Sequence, residues 1–164
     1  MPDDRLRVGF STATLGNTSE SFVRGMALSQ LTDFRIHTKL KLSLLWASTM
    51  FCYIYCDYFE LYVPGKLQGM LQGNGPMAHQ ATLVGASLLL AIPSLLVFLS
   101  VALSPRVSKT LNVIFGVIYT LMMVFLAFKA EWYFYKFFAS LEALLTALVF
   151  WYAWTWPKAA TGVA

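Results

Sequence analysis

After residue 40 the chain alternates long apolar runs with short polar breaks, whereas residues 1–30 are polar and rich in Ser, Thr and Gly. The runs cover about Leu40–Val63, Ala78–Leu103, Ser108–Phe128 and Trp132–Trp154. At 1.5 Å per helical residue, roughly twenty residues cross a hydrocarbon core about 30 Å thick. Pro64-Gly65 closes the first run, since proline cannot continue a helix and glycine releases the chain. Ser104-Pro105 closes the second. Only Lys129, Ala130 and Glu131 separate the last two. A single helix from Leu111 to Trp154 would be about 65 Å long, twice the core thickness, so the charges at 129 and 131 mark a hairpin at the surface. The pattern predicts an all-α fold, a four-helix transmembrane bundle of up-down topology.

Pro93 falls in the middle of the second run. It removes the hydrogen bond to the carbonyl four residues back, so Leu89 should find a donor in Ser94 or on a neighbouring helix. The segment Lys66–Pro76, with glycines at 65, 69, 73 and 75 around it, reads as a flexible surface loop. It does not read as a phosphate cradle, because Lys66 stands at the wrong end of the segment. Residues 1–32 read as a disordered or partly interfacial cytoplasmic tail, 33–157 as the membrane domain and 158–164 as a short cytoplasmic tail.

Composition sharpens the class. Of 164 residues 58% are hydrophobic, 16% aromatic and only 12% charged, against about 25% charged in ordinary soluble domains. The net charge of +4 does not indicate nucleic acid, because the basic residues cluster at the ends of the apolar runs. Arg35, Lys39, Lys41, Arg106, Lys109 and Lys158 fall on one side, against Lys66, Lys129 and Lys136 on the other. That excess places both termini in the cytoplasm of a multi-pass protein of the inner (plasma) membrane. Aromatic belts agree, with Trp132, Tyr133 and Tyr135 at the outer boundary and Trp151, Tyr152, Trp154 and Trp156 at the inner one. Cys52 and Cys56 read as small buried hydrophobes in the first span. His37 and His79 stand at opposite membrane faces and cannot share a metal; no metal or cofactor motif is present, and no cofactor is expected.

The candidate chemistry lies with the acids. Trp46, Met50, Tyr53, Asp57 and Glu60 step by four and three, so they form one stripe of the first helix. Asp57 lies about 9 Å and Glu60 about 13 Å outward of the midplane by the helical rise. Glu142 lies within about 3 Å of the centre of its span. An acid at that depth costs roughly 2.5–3.5 kcal/mol, and acids that costly are functional or are hydrogen-bonded to a partner such as Tyr53 or Tyr119. Asn112, Gly116, Tyr119/Thr120, Met123 and Ala127 on the third span make a face of mostly small and polar residues. Ala139, Glu142, Ala143, Thr146 and Ala153 do the same on the fourth, and both faces should turn inward. Tyr53, Tyr58 and Tyr119 could wall a pocket for a cation or planar lipophile. The alternative for Asp57 and Glu60 is structural pairing with Lys129 or Lys136.

The runs Cys56–Gly65 (CDYFELYVPG), Ile92–Ser100 (IPSLLVFLS) and Leu148–Pro157 (LVFWYAWTWP) give a further pointer. Together they resemble a family of small uncharacterised bacterial four-span integral membrane proteins, over roughly residues 33–157. The resemblance implies a four-helix membrane unit and supplies no activity. Three functions fit the residues. The first is binding or carrying a small lipophilic or cationic ligand in an outer-half cavity lined by Tyr53, Asp57, Glu60, Tyr119 and Glu142, in a membrane of lipids and with a homodimer as the carrier unit. Small multidrug exporters are an analogy in size and aromatic-plus-acid chemistry, although their chains are shorter and their acid sits deeper in the first span. The second is a small membrane enzyme on a lipid-soluble substrate, with Glu142, Asp57, Glu60 and His79 as acid/base candidates. The third is an accessory subunit of a larger membrane complex, whose acids would be fully paired and which would have no cavity.

Overall fold

The structure, a computed structural model, describes residues 36–74 and 79–157. The expected N-terminal tail, Gly75-Pro76 and the tail from Lys158 lie outside the described residues. Among the described residues the fold is all-α and contains no strand. It comprises α1 (Thr38–Glu60), α2 (Lys66–Leu71), α3 (Gln80–Ala102), α4 (Pro105–Lys129) and α5 (Tyr133–Trp154). The helix limits follow local chemistry. His37 caps α1, its Nδ1 accepting from the Lys39 amide at 3.3 Å. Pro105 starts α4 at the first turn, where its missing N–H costs nothing. Ala130, Glu131 and Trp132 form the short link between α4 and α5.

The glycine-rich segment is not wholly a loop. Residues Lys66–Leu71 form a helical turn and a half, bounded by Gly65 and Gly73 with φ of +80° and +71°. Only glycine takes those backbone angles without strain. Leu67, Met70 and Leu71 stand three and four apart, the helical spacing that the glycines masked, and all three are exposed.

Helices α3, α4 and α5 are long and apolar enough to cross a membrane. Helix α1 is as long as α3, at 23 residues, but is not among those three. Lys39, Lys41, Asp57, Glu60 and the tyrosines at 53, 55 and 58 dilute its apolar content.

The four long helices pack side by side. The closest pair is α4 with α5, followed by α1 against α5 and against α3, while α3 and α4 touch much less despite their short connection. At Gly116 a Cβ would lie 3.0 Å from the backbone nitrogen of Phe150, so the two backbones meet where no side chain intervenes. The Thr120 and Thr146 hydroxyls bond across the same seam at 3.0 Å. Helix α1 runs antiparallel to α3, with Ser43 donating to the Val97 carbonyl at 2.7 Å and Met50 opposite Ser94. It also runs antiparallel to α5, from Lys41 over the Tyr152 ring to Phe59 stacked on Phe138. Lysines finish two helix ends. Lys39 Nζ donates to the carbonyls of Val101 and Leu103, and Lys109 Nζ to that of Trp154 at 3.1 Å. Each brings a cation to a helix C-terminus, where the dipole is negative.

The buried faces match the expected stripes on α4 (Asn112, Gly116, Tyr119, Met123) and α5 (Ala139, Glu142, Ala143, Thr146, Ala153). On α1 the stripe is rotated. Its buried residues are Leu42, Trp46, Thr49, Tyr53 and Cys56, which turns Asp57 and Glu60 to the edge of the face. In the half of the molecule where α1 and α4 begin, Asn112 is fully buried and ties three helices together. Its Oδ1 accepts from Trp46 Nε1 at 2.7 Å, and its Nδ2 donates to the Ser108 carbonyl at 2.8 Å and to Ser100 Oγ at 3.1 Å. Because an indole nitrogen can only donate, the orientation of the amide is fixed by Trp46.

Candidate functional site

The other half of the same helices forms a partly open cavity of about 310 Å³. Helix α1 contributes Tyr53, Cys56 and Asp57, and α5 contributes Tyr135, Ala139 and Glu142. The remaining walls are apolar apart from Tyr119: Ala86, Leu89 and Leu90 on α3, then Met122, Met123 and Leu126 on α4. The weakly packed α3–α4 pair therefore supplies the lipophilic side, and the closely packed α1 and α5 supply the polar one.

Each polar group has its place for a readable reason. Glu142 projects from α5 between Ala139, Ala143 and Thr146, on the face whose small residues permit close approach, and is only 3% exposed. Tyr53 is on the inward stripe of α1, one turn beyond Thr49, and is 6% exposed. Neither Glu142 Oε1 nor the Tyr53 hydroxyl has a hydrogen-bond partner among the described residues, although both atoms are buried. Buried polar groups are almost always paired, and an orphan costs about 1–3 kcal/mol. Tyr119, on the same wall, is satisfied. Its hydroxyl donates to the Leu89 carbonyl, the acceptor that Pro93 releases four residues on, and its ring meets Trp46 edge-on at 5.7 Å. Ser94 takes the Leu90 carbonyl instead, at 3.0 Å.

The other predicted site residues are placed as follows. Asp57 lines the cavity while remaining exposed. Glu60 is not part of the lining; its carboxylate pairs with Lys66 at the start of α2. Neither acid pairs with Lys129 or Lys136, whose ammonium groups lie over the rings of Phe125 and Tyr133. His79 is exposed at the start of α3, away from the lining. Tyr58 is exposed and shares a 2.6 Å hydrogen bond with Tyr62, so its expected place in the pocket wall is taken by Tyr135. Tyr135 continues the series Glu142, Ala139 toward the start of α5 at helical spacing, a signal present in the sequence but one that fits an aromatic belt equally well. Cys56, by its sequence a small packing hydrophobe, is both buried and part of the cavity lining. Both cysteines are free thiols. Among the described residues no group of histidines, cysteines and acids could hold a metal ion.

Chemically, the cavity offers one buried carboxyl, a second carboxyl open to the outside, three phenol rings and a wall of Leu and Met side chains. Among the described residues no basic one lines it. Such a surface suits an uncharged or positively charged lipophile and repels an anion.

Residues 30–162 match a family of unknown function, DUF6326, and the chain belongs to that family. No curated protein and no solved structure matches the chain.

Proposed function

We propose that this DUF6326 member is a four-span membrane protein that binds or carries a small lipophilic or cationic ligand in the cavity between the outer halves of its helices. The observation that carries the reading is the pair of buried, unpartnered polar atoms, Glu142 Oε1 and Tyr53 OH, on residues that line a space of about 310 Å³. That volume is at the small end of the range for ligand pockets, about 300–1,000 Å³. The polar-against-apolar division of the walls would orient a ligand with one charged or polar end.

Helix α1 is the fourth span in this reading. It packs along α3 from Lys39 at the Val101 carbonyl to Met50 at Ser94, and along α5 from Lys41 over Tyr152 to Phe59 on Phe138. A helix held along two membrane-length helices shares their slab. Its acids fit the arrangement, since Glu60 is neutralised by Lys66 and Asp57 reaches the exterior. The excess of basic residues on the side of Lys39 and Lys109 supports cytoplasmic termini in a plasma membrane. The exposed apolar faces meet lipid, and a homodimer is the proposed unit if the ligand is moved as well as bound. The enzyme alternative has Asp57 and Glu142 at one cavity but leaves Glu60 and His79 outside it. An accessory subunit gives no reason for the cavity.

Binding of radiolabelled N-methyloctylamine and octyltrimethylammonium to the full-length protein in lipid nanodiscs, against protein-free discs, tests this reading. Saturable binding of at least one cation is expected, together with its loss in Ala86→Trp. That variant fills the cavity from the loosely packed α3 wall. Absence of saturable binding, or undiminished binding by Ala86→Trp, overturns it.

A further inference from the structure

The polar inventory of the cavity is one-sided in two respects. Among the described residues, the acids Glu142 and Asp57 line it and no base does. The atoms left without partners are oxygens: Glu142 Oε1, which as a carboxylate only accepts, and the Tyr53 hydroxyl, which accepts as well as donates. Tyr119 shows that the same wall can satisfy a phenol when a backbone carbonyl is within reach, as the Leu89 carbonyl is. Glu142 and Tyr53 have no such neighbour and do not bond to each other. Rotation about the terminal torsion of Glu142, a broad and soft coordinate, presents either oxygen to the cavity.

What would satisfy these atoms is more specific than positive charge. Aromatic rings from Tyr53, Tyr119 and Tyr135 hold any cation, alkylated or not, through their faces. A quaternary ammonium therefore gains the rings and the charge of the acid but leaves both oxygens without a hydrogen bond. A protonated amine with two N–H groups supplies charge and one donor for each oxygen, and a charge-assisted hydrogen bond is stronger than a neutral one. The Leu and Met wall takes the alkyl or aryl remainder. We infer that the ligand is a protonated primary or secondary lipophilic amine, with one N–H donated to the Glu142 carboxylate and another to the Tyr53 hydroxyl. The inference rests on the proposed cavity-binding reading and narrows its ligand to a chemical class.

The test is a series with the same octyl chain and a falling number of N–H donors. N-methyloctylamine has two when protonated, N,N-dimethyloctylamine has one and octyltrimethylammonium has none. Binding is measured on the full-length protein in nanodiscs, against empty discs for each compound. The affinity is expected to fall by about tenfold with each donor removed, the size of one hydrogen bond left unmade at a buried oxygen. In Tyr53→Phe the step between the secondary and tertiary amine should vanish, while the affinity for octyltrimethylammonium stays unchanged. Equal affinity across the series would overturn the amine assignment and leave cavity binding standing. Persistence of the first step in Tyr53→Phe would remove Tyr53 from the assignment. Failure of all three compounds to bind would sink the inference together with the reading beneath it.

Discussion

Where α1 and α4 begin, the buried amide of Asn112 meets partners through both its oxygen and its nitrogen. In the opposite half, the buried phenol of Tyr53 and one carboxyl oxygen of Glu142 meet none. The two regions are built from the same four helices and bury polar groups to a similar depth. They differ in what surrounds those groups. Around Asn112 stand Ser100, Ser108 and the indole of Trp46, small or flat side chains that reach its atoms directly. Around Glu142 and Tyr53 stand Ala139, Cys56 and a wall of Leu and Met, which leave space, and no described residue bonds to the Tyr53 hydroxyl or to Glu142 Oε1. Polar groups satisfied within the protein specify how helices dock, whereas those left open beside a cavity are available to something else.

That contrast can be broken from either side. The largest loss is expected at Asn112→Ala, which strands Trp46 Nε1 in the interior and opens a void. Unfolding of the purified protein in detergent should show a loss of about 2–3 kcal/mol. A loss under about 0.5 kcal/mol would mean the network is not what fastens α1 to α4. Next comes Gly116→Ala, whose Cβ would stand 3.0 Å from a backbone atom of Phe150, so that α5 must give by a few tenths of an ångström. The expected cost is about 1–3 kcal/mol. Gly85→Ala has nothing within 4 Å. It should gain roughly 0.5–1 kcal/mol from helix propensity alone, which makes it the matched control. The smallest effect has the opposite sign. Tyr53→Phe removes a hydroxyl with no partner, so the unliganded protein should gain up to about 1 kcal/mol in the same assay. A loss there would reveal a partner for the phenol and dissolve the contrast.

Much of this arrangement was legible in the chain, for physical reasons that particular residues show. Run length and the 1.5 Å rise gave the four long helices within a few residues, and small-residue stripes gave the seam of α4 and α5. Pro93 announced an orphan carbonyl at Leu89, because the deficit follows from covalent structure. The donor, Tyr119, is thirty residues away and belongs to tertiary packing. The same limit hid the Trp46–Asn112 bond, whose partners are 66 residues apart. On α1, both Thr49/Cys56 and Met50/Asp57 fit a helical stripe through Trp46 and Tyr53. Packing chose the smaller Thr49 and Cys56 for the interior, and so moved Asp57 to the open edge and Glu60 beyond the cavity, to Lys66. Glu142 was legible because its depth alone marks it, whereas Tyr135 was not, because tyrosine serves both a belt and a pocket.

The unfolding midpoint of the full-length protein in nanodiscs, with and without N-methyloctylamine, asks most directly whether the open polar groups serve a ligand. A compound that binds only the folded state raises the midpoint with concentration. Wild type should show that rise, and Glu142→Gln should show little or none while unfolding no earlier than wild type in the absence of amine. An equal rise in both proteins, or none in either, would contradict a ligand site at Glu142.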